Sequence, residues 1–108
     1  MESFAQLLAR AERTESSADV IALLRHARMH RVPAAHTPTV LKWGERALRR
    51  CRAALGDELW SVYEQVLVAA LAAHDDALAD ACAEALDARF ADSTRVKRLL
   101  AMRDEARG

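Results

Sequence analysis

Glycine and proline are nearly missing: three and two of 108 residues, with aromatic residues at 5%. Alanine and leucine supply much of the apolar content instead, and that balance is an all-helical composition. Cysteine occurs twice. Cys51 and Cys82 each fall inside a helical pattern, with no partner at motif spacing. Such isolated cysteines speak against a disulfide framework or a closed zinc site, and for small core-filling roles in a reducing compartment. Formal net charge is zero, so no overall field recruits nucleic acid or a membrane surface. The longest strictly apolar run, Val66 to Ala73, is far below the ~20 residues that cross a bilayer. The opening stretch MESFAQLLARAERTE lacks a basic segment followed by a long apolar one, so no signal peptide is expected. A Gly-rich phosphate loop, Cys-x-x-Cys, nucleophile elbow and His-Glu-x-x-His are all absent, which leaves little for catalysis and no cofactor or metal to expect.

What is present is 52% apolar and 30% charged, the balance of a folded globular chain with room for one domain or part of a larger one. Charge is uneven along it. Residues 1–55 hold 10 Lys/Arg against 5 Asp/Glu, and residues 56–108 hold 6 against 11. Either a basic helix pair packs on an acidic one or the basic half is a docking surface. The runs RHARMHR (25–31) and RALRRCR (46–52) could contact phosphate. RNA-binding modules add exposed aromatics for stacking, and the nearby Trp43 is expected to pack, so a solvated face is the better reading. His26 and His30 have metal-compatible spacing, but two ligands among Arg25, Arg28 and Arg31 make surface histidines the expectation. His74 sits in a turn.

Periodicity predicts six helices of roughly 11 to 18 residues joined by short turns. The first runs from about Ser3 to Arg13 on an apolar face of Phe4, Leu7, Leu8 and Ala11. Ser17 is read as N-cap of the second, which turns Val20, Ile21, Leu24 and Ala27 inward. RVPAAHTP is a loop, Thr37 caps a third helix with Pro38 at its first position, and that helix runs on to Leu55 before a Gly56 stop. Asp57 caps the fourth. Its segment LGDELWSVYEQVLVAAL loses its polar face after Glu64 and Gln65, so it needs neighbours on two sides. HDD (74–76) turns into a fifth helix carrying Leu78, Ala79, Cys82, Ala83, Leu86 and Phe90, and Ser93 caps a sixth. From Asp57, helix, turn and helix occupy 57–91, close to the ~34-residue period of tetratricopeptide repeats.

Within this frame lies an ordered set of residues: Leu55-Gly56-Asp57, Trp60, Tyr63-Glu64-Gln65-Val66 and the alanine-leucine run at 69–71. Asp75, Asp76, Leu78, Ala79, Cys82, Phe90, Ser93, Arg95-Val96-Lys97-Arg98-Leu99 and Met102-Arg103 follow. In order and spacing over residues 55–106, with looser similarity back to Val40, it resembles the N-terminal part of subunit 2 of the endoplasmic reticulum membrane protein complex. The resemblance implies an all-α, tetratricopeptide-like solenoid, peripheral on the cytosolic side of the endoplasmic reticulum membrane. It implies a non-enzymatic scaffold that holds subunits 3, 5 and 8 or 9 together, in a complex that inserts tail-anchored and multi-pass membrane proteins. The family's chain continues through further repeats, so a truncated, partial or reduced form is expected. Residues 1–39 match poorly and are read as an N-terminal helix pair, with residues 40–108 as the repeat region.

Solenoids need a polar capping element, so an uncovered apolar edge is expected on the last helix at Val96, Leu99, Leu100 and Met102. Arg95 and Lys97 join them as partner-interface candidates, with intra-stack salt links as the other reading of RVKRL. Trp60, Tyr63, Val66, Leu67, Leu78, Leu86 and Phe90 are read as structural core. A generic helical-repeat adaptor that takes a peptide or helix of a soluble partner is the alternative function.

Overall fold

Serine and aspartate side chains start four of the helices in the computed structural model, which describes residues 2–30 and 32–107. Arg31 therefore lies outside the described residues. Helix α1 (Phe4–Thr14) opens with a reciprocal cap, Ser3 Oγ accepting from the Gln6 amide and Gln6 Oε1 from the Ser3 amide. Helix α2 (Ser17–Met29) is capped by Ser16, one residue earlier than expected. Ser16 holds extended backbone, and its hydroxyl accepts from the Asp19 amide. A single 3-10 turn (Ala34–His36) runs straight into α3 (Thr37–Arg50), so Thr37 lies inside the helix and no side chain caps it.

The third helix does not continue to Leu55. Cys51 leaves helical geometry at φ −116°, ψ 16°, and a separate turn, α4 (Arg52–Leu55), follows. Gly56, at φ 55°, then redirects the chain where a side chain would strain it. Helix α5 (Glu58–Ala72) begins after Asp57, whose own backbone is helical and whose carboxylate makes no cap bond. Asp75 caps α6 (Asp76–Arg89) by accepting from the Leu78 amide, and Ser93 caps α7 (Thr94–Ala106) by accepting from the Val96 amide. The described residues thus form seven α-helices where six were expected, and no strand; the all-α class holds.

The greasy segment is the middle of the structure. α5 packs along α3 on one side and α6 on the other, and Val62, Val66, Leu67 and Ala70 are fully buried. Each such Leu or Val side chain removed from water contributes about 1.5–3 kcal/mol. Small residues bring the neighbours close: Ala47 of α3 and Ala79 and Ala83 of α6 are all at 0% exposure. The core continues without a break from Leu7 and Ala11 of α1 to Val96 of α7. One contiguous core and a radius of gyration of 13.6 Å fit a single folding unit of this length. Cys51 and Cys82 are free thiols buried within it.

Candidate partner-binding groove

Alternate helices line one side of α5. Ser61, Gln65, Val68 and Ala72, at helical spacing, form the floor of a groove of about 500 Å³. Ala27 and Arg28 of α2, with Val32 and Val40 beyond, make one wall, and Arg95 and Leu99 of α7 make the other. Val68 is 49% exposed at the centre of the floor, an unusual place for a β-branched apolar side chain on a helix otherwise buried there.

The charged side chains that line this groove among the described residues, Arg28, Glu64 and Arg95, are all paired within the chain. Arg28 donates to Gln65 Oε1 at 3.1 Å and to Glu58 Oε2 at 2.6 Å, and Arg25 also grips the Glu58 carboxylate. Gln65 Nε2 donates to the Leu24 carbonyl oxygen at 3.1 Å, which ties α2 to α5. Across the groove, Arg95 forks onto Glu64 through Nε and Nη2, at 2.8 to 3.0 Å. The Arg25 hydrogen bond holds the Glu58 carboxyl below its usual value, and the Glu64 hydrogen bond raises Arg95. With the charged side chains at its walls paired, the groove presents mostly apolar surface.

Among the described residues no three His, Cys, Asp or Glu side chains converge to hold a metal ion. The His26 and His30 rings lie against each other at 4.4 Å, with Phe4 between His26 and His36. Burial pushes the Cys82 thiol up to about 11, so it stays protonated and inert.

The candidates of the last helix are divided by its rotation. Arg95 and Leu99 face the groove, while Val96, expected on the open edge, is 3% exposed and belongs to the core. Leu100 is half-buried against the core, and Lys97 and Met102 are exposed. Val66, Leu67 and Leu86 are deeply buried. Trp60, Tyr63, Leu78 and Phe90 are half-buried at the core's margin, because Trp60 stacks on Tyr63 at 5.5 Å and meets the edge of Phe90 at 5.4 Å instead of entering the interior. The floor residues Ser61, Gln65 and Val68 and the α2 wall were not expected. Their signal was available: Val68 continues the polar stripe of Ser61, Glu64 and Gln65 by one helical turn.

Among known proteins, the chain is 42% identical over 67 residues to ER membrane protein complex subunit 2 of Xenopus tropicalis, and equally to subunit 2-A of Xenopus laevis. It is 43% identical over 63 residues to subunit 2-B of Xenopus laevis. The first two alignments take in 62% of this chain and 23% of the relative, and the third 58% and 21%. No family model and no solved structure matches. No helix of the described residues is long and apolar enough to cross a membrane. The resemblance to this family is thus borne out: over some three-fifths of its length this chain is similar to ER membrane protein complex subunit 2, and it spans less than a quarter of that protein.

Proposed function

We propose that the chain is a non-enzymatic scaffold module of an endoplasmic reticulum membrane protein complex, presenting the α2, α5 and α7 face to other subunits. Its action is to hold partners together on the cytosolic face of the membrane, in a stack of tetratricopeptide-like hairpins, and so to support insertion of tail-anchored and multi-pass proteins. Subunits 3, 5 and 8 or 9 are the partners the resemblance assigns. The observation that carries the reading is the coincidence of similarity and shape. Residues 55–106 carry the family's ordered set, and they build the floor and one wall of the groove. The relatives are named as subunits of a complex, in keeping with a module that binds and does not catalyse.

The experiment is affinity purification of the tagged chain from detergent-solubilised endoplasmic reticulum membranes. Membrane-embedded subunits should co-purify with the wild-type chain and be lost from Val68→Asp, a change on the exposed floor. Recovery of soluble proteins alone, released by the same substitution, would assign the groove to the adaptor reading instead.

A further inference from the structure

The opposite side of α5 carries a second surface, independent of the groove. Tyr63 points away from the groove floor, and Trp60 stacks on it. A guanidinium closes each end of this pair: Arg52 lies 5.7 Å from the Tyr63 centroid, and Arg89 lies 5.7 Å from that of Trp60 and 5.1 Å from that of Phe90. Stacking on a ring pre-orders an arginine while leaving most of its N–H donors free. Arg52 spends one on the Tyr63 hydroxyl. No carboxylate of the described residues pairs with Arg49, Arg52 or Arg89, whereas Arg25, Arg28 and Arg95 at the groove are all paired.

Beside this ladder, between α3 and α6, lies a hollow of about 290 Å³. Leu48, Leu78 and Cys82 give it an apolar floor, and Arg49 and Arg52 stand on its rim. Glu45 is the one carboxylate that lines it.

We propose that this face binds an acidic, apolar segment of a partner protein, seating an apolar side chain in the hollow and its flanking carboxylates on Arg49 and Arg52. Charge complementarity selects the occupant: two guanidiniums without a carboxylate partner at the mouth of an apolar hollow, that of Arg52 ordered on the Tyr63 ring, match a carboxylate beside an apolar knob. A phospholipid headgroup supplies the anion without the knob. Nucleobases would need open ring faces, and those of Tyr63 and Trp60 are taken up by each other and by the arginines. The basic run at 46–52 thereby gains a role beyond solvation.

The test is fluorescence anisotropy of a fluorescein-labelled synthetic peptide of repeating Leu-Glu-Glu, titrated with the 108-residue chain. Two comparison peptides replace Glu by Gln or Leu by Ser. Binding of the Leu-Glu-Glu peptide is expected to fall about tenfold or more in the double variant Arg49→Gln/Arg52→Gln, and by a similar factor for either comparison peptide. Arg98→Gln, at an exposed cation of α7, should bind as wild type, and thermal melts verify that each variant folds. Failure of the Leu-Glu-Glu peptide to bind overturns the proposal, as does undiminished affinity in the double variant or equal affinity for the Ser peptide. Binding of phosphatidylserine vesicles or oligouridylate through the same two arginines, with no peptide binding, would give the face to a membrane or a nucleic acid. Because no groove residue is altered, either result leaves the scaffold reading to its own test.

Discussion

A methyl group on Gly44 would stand 2.5 Å from Cγ2 of Val66, a separation that forces something to shift. Helices α3 and α5 therefore cross at a point where only a glycine fits, and Val66, fully buried and β-branched, has little freedom to turn away. Gly44→Ala adds up to about 1 kcal/mol of helix propensity but overpacks the crossing by about 1–3 kcal/mol. A net loss of stability on the order of 1 kcal/mol is expected by urea titration. In a Val66→Ala background the same change should be harmless or stabilising, and a Gly44→Ala cost that persists there would sink the explanation.

Much of the helical layout was legible because apolar spacing and capping residues act locally. Ser3, Ser93 and the Asp75 turn needed no tertiary information, and the demand for neighbours on both sides of 55–71 followed from counting apolar stripes. The break at Cys51 was not legible, since neither Gly nor Pro marks it. α4 packs against α2 as well as its chain neighbours, and a contact so distant in sequence is invisible in a local window, where helix propensity alone would continue the helix. The rotation of α7 was hidden for the same reason. Val96 or Leu99 could equally face a neighbour by periodicity, and packing on α6 and α5 decided it. The groove is assembled from three segments distant in sequence, so no single window displays it.

Acid should expose the contribution of Glu58. Its carboxyl is held below the usual 4.5, first by the hydrogen bond from Arg25 and then by the charges of Arg25 and Arg28, against partial burial. A depressed folded value means that the stabilisation is complete above 4.5 and is lost as pH falls through the lowered value. Glu58→Gln should therefore be less stable than wild type at neutral pH, and the two should converge as the solution is acidified well below 4.5. A stability gap that stays constant across that range would show that the ion pair does not titrate with folding.

Size ranks Trp60 above Leu67, and a fully buried Trp would cost about 3–5 kcal/mol on truncation, near the total stability of a small domain. Position reverses the order. Leu67 is at 0% exposure, whereas Trp60 is half-buried on the margin, so Leu67→Ala should cost about 3–4 kcal/mol and Trp60→Ala about 2 kcal/mol. Chemical denaturation of the two variants decides it, and a larger loss from Trp60→Ala would place the aromatic ladder in the core after all.

Val68 separates binding from folding. Its side chain is half exposed on the groove floor, so Val68→Gln should change stability by less than about 0.5 kcal/mol. If the groove is a docking surface, removing apolar area at its centre should weaken a bound subunit far more than it perturbs the chain, as truncations at the centre of interfaces do. The informative pair is Val68→Gln beside Val66→Ala, two positions apart on one helix. The first should melt like wild type and lose its partners on purification, while the second should lose stability and, in the fraction still folded, retain them. Val68→Gln that both folds and keeps every partner would move the interface off this face of α5.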